Sequence, residues 1–317
     1  MSSSTQRPLL FDSHAHLVAD DQQKYPRNPM KRAANAPPRL PGVIGTPGGH
    51  HGPNPINEVP DAARVLQWMK EENVDGAVAV QKRMIYRYDN SYILDSSDQY
   101  PELFSAVVIL DAEDAGTAPL VRQYIENHGL AGVRLFGGRQ PDGSMPWLNS
   151  PMALKTWEVA QEYGLVMDLE VLAVGGGGPS IPTLIELSKQ YPDVSIVLDH
   201  LLEPEMHEGK PGEFGMDERF EKLSPIKNIS FKWTSINLDT CREEGFPNDQ
   251  VLRRAVDLYG ADRIMWGSDI GTSSGTYKDM VQRAIDATGL LTEAEKKAVF
   301  HDTGRRVFVK GGTKKKN

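Results

Sequence analysis

The feature that most constrains this 317-residue chain is an alternation. Eight short apolar runs, rich in β-branched residues, recur along it: LLFDSHAH (9–16), VDGAVAVQ (74–81), FSAVVILD (104–111), LAGVRLF (130–136), GLVMDLEVL (164–172), VSIVLDH (194–200), NISFKWTS (228–235) and RIMWGSDI (263–270). Between them lie DAARVLQWMKEEN, AGTAPLVRQYIENH, SPMALKTWEVAQEY, IPTLIELSKQYP and NDQVLRRAVDLYG, whose apolar positions fall three or four apart. Several open on Ser, Asp or Asn, which cap helix N-termini. Strands alternating with helices imply a parallel sheet, and eight such units predict a closed (β/α)8 TIM barrel, α/β in class. The length suits a single barrel domain over 1–317. An open doubly wound sheet is the alternative, but no glycine-rich fingerprint follows the first run. VGGGGPS (174–180) follows the fifth instead and lacks the Lys-Ser/Thr of a phosphate loop, so it is expected to be a turn at the barrel mouth.

Composition narrows the partners. With 39% hydrophobic and 25% charged residues the chain is expected to fold, and its net charge of −8 speaks against nucleic acid and against an anionic membrane surface. A small anionic substrate stays compatible, since charge in a cleft can oppose the global sign. The single cysteine, Cys241, excludes an intrachain disulfide framework and a cysteine-based zinc cluster. The leader MSSSTQRP has no apolar core and no stretch is long enough for a membrane span, so the expected location is the cytoplasm. A homo-oligomer is compatible with these features. The tail at 310–317 is basic, and residues 20–60 form a long Pro/Gly-rich segment placed to lie over the mouth; His50 and His51 within it are expected to be solvated.

Polar residues close the apolar runs. The first ends on His14 and His16, which share a face at period two, with Asp12 expected below them. The fourth carries Arg134, the fifth Glu170, the sixth ends on His200, the seventh carries Lys232 and the eighth ends on Asp269. In a (β/α)8 barrel all of these converge on the C-terminal mouth, where the active sites of the fold lie. Arg134 and Lys232 face inward by parity, and Lys82, Arg83, Arg87 and Tyr88 follow the second run. Basic groups at the mouth of an acidic protein point to a carboxylate or sulfonate on the substrate.

The order HxH, then LDH, then WGSD, together with VQ (80–81), YDNSYILD (88–95), PELF (101–104) and VFHDTGRRVF, resembles the amidohydrolase superfamily. More narrowly it is similar to the amidohydrolase-related group that contains 2-pyrone-4,6-dicarboxylate lactonase and sugar lactonases. The resemblance implies a catalytic mouth built from His14, His16, His200 and Asp269. In many members a divalent metal, zinc or manganese, is held by the two first-strand histidines, a fifth-strand ligand and the eighth-strand aspartate. Here the fifth-strand residue is Glu170 where metal-dependent relatives carry histidine, so the metal set implied is His14, His16, Glu170 and Asp269; the alternative for Glu170 is a salt bridge to Arg134 or Lys232.

The expected reaction is hydrolysis of a lactone or ester ring in an anionic small molecule. Asp269 activates the water, and the carbonyl is polarised by the metal or, in metal-free catalysis, by the histidine cluster. Arg134, Lys232, Arg83, Arg87 and Tyr88 are the candidate substrate-binding residues. The alternative is a metal-dependent nonoxidative decarboxylase of an aromatic or muconate-like acid, since relatives of the same fold use a similar His and Asp set.

Overall fold

The computed structural model describes residues 7–28, 59–172, 176–273 and 275–309. Most of the 20–60 segment, with His50 and His51, part of the glycine run and the basic tail lie outside the described residues. Every apolar run read from the sequence becomes a strand: β1 (Leu10–His16), β2 (Val74–Val80), β3 (Phe104–Ile109), β4 (Gly132–Gly137), β5 (Val166–Val171), β6 (Ser195–Leu198), β7 (Ile229–Thr234) and β8 (Ile264–Gly267). They pair in parallel in sequence order, and an isolated bridge between Ala15 and Ile270 brings the sheet back to its start. The chain is a (β/α)8 barrel.

Local chemistry makes the helices as the spacing predicts. Asp61 accepts the Arg64 N–H at 2.7 Å and starts the helix Ala62–Glu71, which buries Ala62, Val65 and Met69. Ser150 caps Pro151–Tyr163, where proline occupies the first turn and Gly164 ends the helix in the left-handed region. The strands' outer faces and the helices form the main core. Inside, Phe11, Val78, Val107, Val166, Val197 and Met265 fill one level of the barrel, joined by Val307 and Phe308 from the last helix.

One period-two expectation and two expected strand ends fail, for one kind of reason. The β1–β2 register shifts between Leu10 and Asp12 and again between Asp12 and Ala15. Phe11 therefore joins the barrel interior, and Asp12 is not below the histidines. Its carboxylate meets the Tyr277 hydroxyl at 3.0 Å in the helix layer. At the other end, β6 stops at Leu198 and β8 at Gly267, so His200 and Asp269 sit on turns just past the strands. Both have left-handed backbones (φ 53° and 51°), which a continuing ladder does not allow.

β1 and β8 meet through these irregular residues. Asp12 Oδ1 accepts the N–H groups of His14 (3.0 Å) and Ser268 (2.8 Å), while the Asp269 N–H donates to the His14 carbonyl (2.8 Å). Gly267 leaves no room at this seam: a Cβ there would lie 2.7 Å from His14 Cβ and 3.0 Å from its nitrogen. Gly267→Ala is expected to cost about 1–3 kcal/mol by overpacking and to lower the melting temperature by several degrees, read by circular dichroism. A melting curve matching the wild type would show that the seam yields freely.

Candidate active site

The site is built in layers. At its base lies a buried ionic network. Lys232, fully buried on β7, donates to Asp168 Oδ2 at 2.5 Å and lies 3.1 Å from Asp199 Oδ1. Arg134 from β4 grips the other oxygen of Asp199 through Nε (2.7 Å) and a terminal nitrogen (2.6 Å), and that same nitrogen reaches Glu170 Oε2 at 3.0 Å. Burial alone would raise the pKa of Asp199, but Arg134 and Lys232 outweigh it and hold it well below the carboxylate range. Burial likewise would lower the pKa of Arg134, and Asp199 and Glu170 reverse that. Both partners are therefore charged.

His14 stands on this network. Its Nδ1 lies between Lys232 Nζ (3.2 Å) and Asp199 Oδ1 (3.3 Å), and its Nε2 is buried without a hydrogen-bond partner. His16 directs Nδ1 at the Val80 carbonyl, 3.0 Å away. A carbonyl only accepts, so Nδ1 carries the proton and Nε2 presents a lone pair. That lone pair faces Asp269 Oδ1 at 3.2 Å, and His14 Nε2 faces the same oxygen at 3.6 Å. Burial, reinforced by Lys82, pushes His16 down to about 4, so it is neutral at pH 7. Asp269 would be raised by burial, but the His16 contact and the histidines around it hold it well below the usual range.

Both imidazoles are neutral and aimed at one carboxylate oxygen; His16 presents a lone pair to it, and His14 does the same in the tautomer whose Nδ1 proton goes to Asp199. A cation or a proton relieves the repulsion between lone pairs so placed. The donor atoms of His14, His16 and Asp269 lie within 4.8 Å of one another, and nitrogen and oxygen donors of this kind suit zinc or another first-row divalent ion. The residues thus fit the group. Glu170 stands outside this set and is paired with Arg134; its other oxygen is 3.8 Å from His200 Nε2.

His200 opens a run of four residues in the left-handed region, His200 to Glu203. Such conformations cost roughly 1–2 kcal/mol per residue and persist only where the surroundings enforce them. Here the Gly177 N–H donates to the carbonyls of Leu202 (3.1 Å) and Glu203 (3.2 Å), and a Cβ at Gly177 would collide with Leu202. The described end of the glycine run, expected to be a turn at the mouth, is therefore also a clamp on the loop carrying His200. Thr234 Oγ1 lies 2.7 Å from His200 Nδ1 while accepting the Asn237 N–H, so its own proton is available to Nδ1. With Thr234 as the donor, the imidazole proton is on Nε2, toward the mouth; this is the tautomer assigned to His200.

The structure brings His14, His16, His200, Asp269, Arg134 and Glu170 together. Lys232 belongs to the ionic base beneath His14 rather than to the open end. Arg83 lies over the Phe136 ring at 4.1 Å, Tyr88 is exposed, and Arg87 is exposed on a left-handed turn. Gln81 holds that turn by donating to the carbonyls of Arg87 (2.8 Å) and Asp89 (2.9 Å), and Asn90 bonds Ile109 through both ends of its amide. The VQ and YDN signatures thus shape the rim. Asp199, beside His200 in the chain, belongs to the ionic base with Lys232, and Glu203, which ends the His200 turn, was not expected at the site.

Residues 11–309 match the amidohydrolase family. The chain belongs to it. L-fucono-1,5-lactonase from Burkholderia ambifaria is 23% identical over 191 residues, 57% of this chain and 60% of the relative. The chain spans about 60% of the length of the curated relatives it matches. Among solved structures, a Pseudomonas putida protein provisionally assigned as a 2-pyrone-4,6-dicarboxylic acid hydrolase is similar with a TM-score of 0.66 at 20% identity, covering 95% of this chain and 97% of that one. A 2,6-dihydroxybenzoate decarboxylase complexed with 2,6-dihydroxybenzoate gives 0.62 at 14%, covering 97% and 100%. At these identities the structures share the fold with this amidohydrolase.

Glu203 offers a pH test. Burial, with Glu170 and Asp199 nearby, pushes its carboxyl well above the usual value, and its Oε1 has no partner. A raised folded-state pKa gives stability that is complete below the unfolded pKa and is lost as pH rises through the folded one. Glu203→Gln is therefore expected to raise the urea midpoint at pH 8 and to leave it near the wild type at pH 4.5. A gain of equal size at both pH values would remove Glu203 titration as its cause.

Proposed function

We propose that this amidohydrolase opens the ring of a carboxylated lactone or cyclic ester. The observation that carries the reading is the convergence of His14 Nε2 and His16 Nε2 on Asp269 Oδ1 in a buried mouth. Hydrolysis needs an activated water, a polarised carbonyl and a proton for the leaving alkoxide. Asp269 is ionised and held by the backbone at the seam, and it takes the proton of the attacking water. Having accepted that proton, it delivers it to the ring oxygen as the acyl–oxygen bond breaks. His200 donates from Nε2 to the carbonyl oxygen as negative charge develops there.

His14, His16 and Asp269 are the residues that would hold a divalent metal, with zinc the reading favoured by the donor types. Bound there, the metal would polarise the carbonyl and acidify water. His14 is prepared for this by Asp199, which can hold the proton at Nδ1, and His16 by the Val80 carbonyl. The lactonase relative and the fold shared with the provisional pyrone-dicarboxylate hydrolase support hydrolysis. The decarboxylase of the same fold supports carbon–carbon cleavage as the second reading. The cytoplasm stays the proposed location, and no helix among the described residues is long and apolar enough to cross a membrane.

Asp269→Asn is expected to leave the melting temperature within a few degrees and to lower kcat for ring opening by about 100- to 10,000-fold. Acid release in a pH-stat measures this against carboxylated lactones. Carbon dioxide evolved from aromatic acids, without acid release from any lactone, would move the protein to the decarboxylase reading.

A further inference from the structure

Among the described residues the buried cations of this barrel are matched to carboxylates or, for Arg263, to the backbone carbonyls of Ile229, Ser224 and Leu223, with one exception. Arg134 has Asp199 and Glu170; Lys232 has Asp168 and Asp199. Lys82 is 8% exposed, and its ammonium bonds the Thr272 hydroxyl, with no carboxylate within 4.0 Å among the described residues. An ammonium withdrawn from water onto one hydroxyl is poorly compensated. Lys82 serves the short helix Arg83–Tyr86 through its backbone carbonyl, a role that needs no cation.

Its position shows what it faces. The side chain leaves the end of β2 and reaches the turn after β8, where the Thr272 N–H donates to the Asp269 carbonyl at 3.0 Å. It thereby stands beside the His16–Asp269 pair. The ionised groups acting on it are Asp269 and Glu170, which favour its charge, and Arg134, which opposes it. Burial, the largest influence, lowers it to about 8, so it is still mainly cationic at pH 7. The neighbouring rim adds the Arg83 guanidinium over Phe136. One free donor cation beside a reaction centre, already charged before any oxyanion develops, suits a permanent anion on the bound molecule.

We propose that Lys82 is the specificity-determining anchor for a substrate carboxylate, seating it so that the neighbouring ring carbonyl lies over His14, His16 and Asp269. This deepens the hydrolase reading of the same mouth and rests on it. Lysine supplies a point charge here, so an arginine is expected to substitute for most of its binding, and a methionine of similar length for none.

The test uses a planar dianion with no bond to hydrolyse, furan-2,5-dicarboxylate, and its neutral isostere furan-2,5-dicarboxamide, titrated calorimetrically into the full-length protein. The wild type is expected to bind the diacid at least tenfold more tightly than the diamide. Lys82→Met is expected to weaken the diacid at least tenfold while changing the diamide less than twofold, and Lys82→Arg to stay within about threefold of the wild type for both. No preference for the diacid in the wild type, unchanged diacid affinity in Lys82→Met, or equal loss of both ligands in that variant would each overturn the anchor. The last of these outcomes would mark Lys82 as structural. Because no turnover is needed, a protein that opens no lactone yet shows the charge-dependent difference loses the hydrolase reading and keeps the anchor. A protein that opens carboxylated lactones with Lys82→Met binding like the wild type loses only the anchor.

Discussion

Asp12 sits where β1 and β8 have to be joined without a ladder of backbone hydrogen bonds. Its carboxylate takes the N–H groups of His14 and Ser268 on one oxygen and the Tyr277 hydroxyl on the other. Burial raises its pKa, and these donors oppose the rise. The same few residues bring the His14 carbonyl under the Asp269 N–H. The spacing between the histidines and Asp269 is therefore fixed by main-chain groups tied together through one buried carboxylate. Precision of this kind is what a reacting site requires, since errors of an ångström cost large factors in rate.

Below the mouth the barrel changes character by level. Valines and phenylalanines fill the interior around Phe11, then Lys232, Asp168, Asp199 and Arg134 form a charged layer, and the histidines stand above it. Buried ion pairs contribute little net stability over well-packed apolar side chains, and removing one partner is far more damaging than having neither. The benefit of the charged layer lies in orientation. It places an ionised carboxylate beside His14 Nδ1, a role that valine cannot fill.

Much of this was legible in the amino-acid order. β-Branched runs gave the eight strands, and parity placed His14 and His16 together and turned Arg134 and Lys232 inward. Where the backbone leaves the strand conformation, parity failed at the bulge around Asp12 and the expected strand ends failed at the left-handed His200 and Asp269. No side-chain pattern announces a positive φ in a non-glycine residue. The pairing of Glu170 with Arg134 was one of two arrangements the sequence allowed, and it is visible only as a distance. Lys82 was visible as a basic residue after β2, but its burial without a carboxylate is a fact of three dimensions.

The loop from His200 to Glu203 is kept in its conformation by another loop, the glycines after β5. Its shape is thus written in two places, about 25 positions apart in the chain. Natural or engineered recombination that exchanges one loop and leaves the other would release the turn and move His200 away from the mouth. The two segments form one inherited unit, and successful grafts between members of the family would have to carry both.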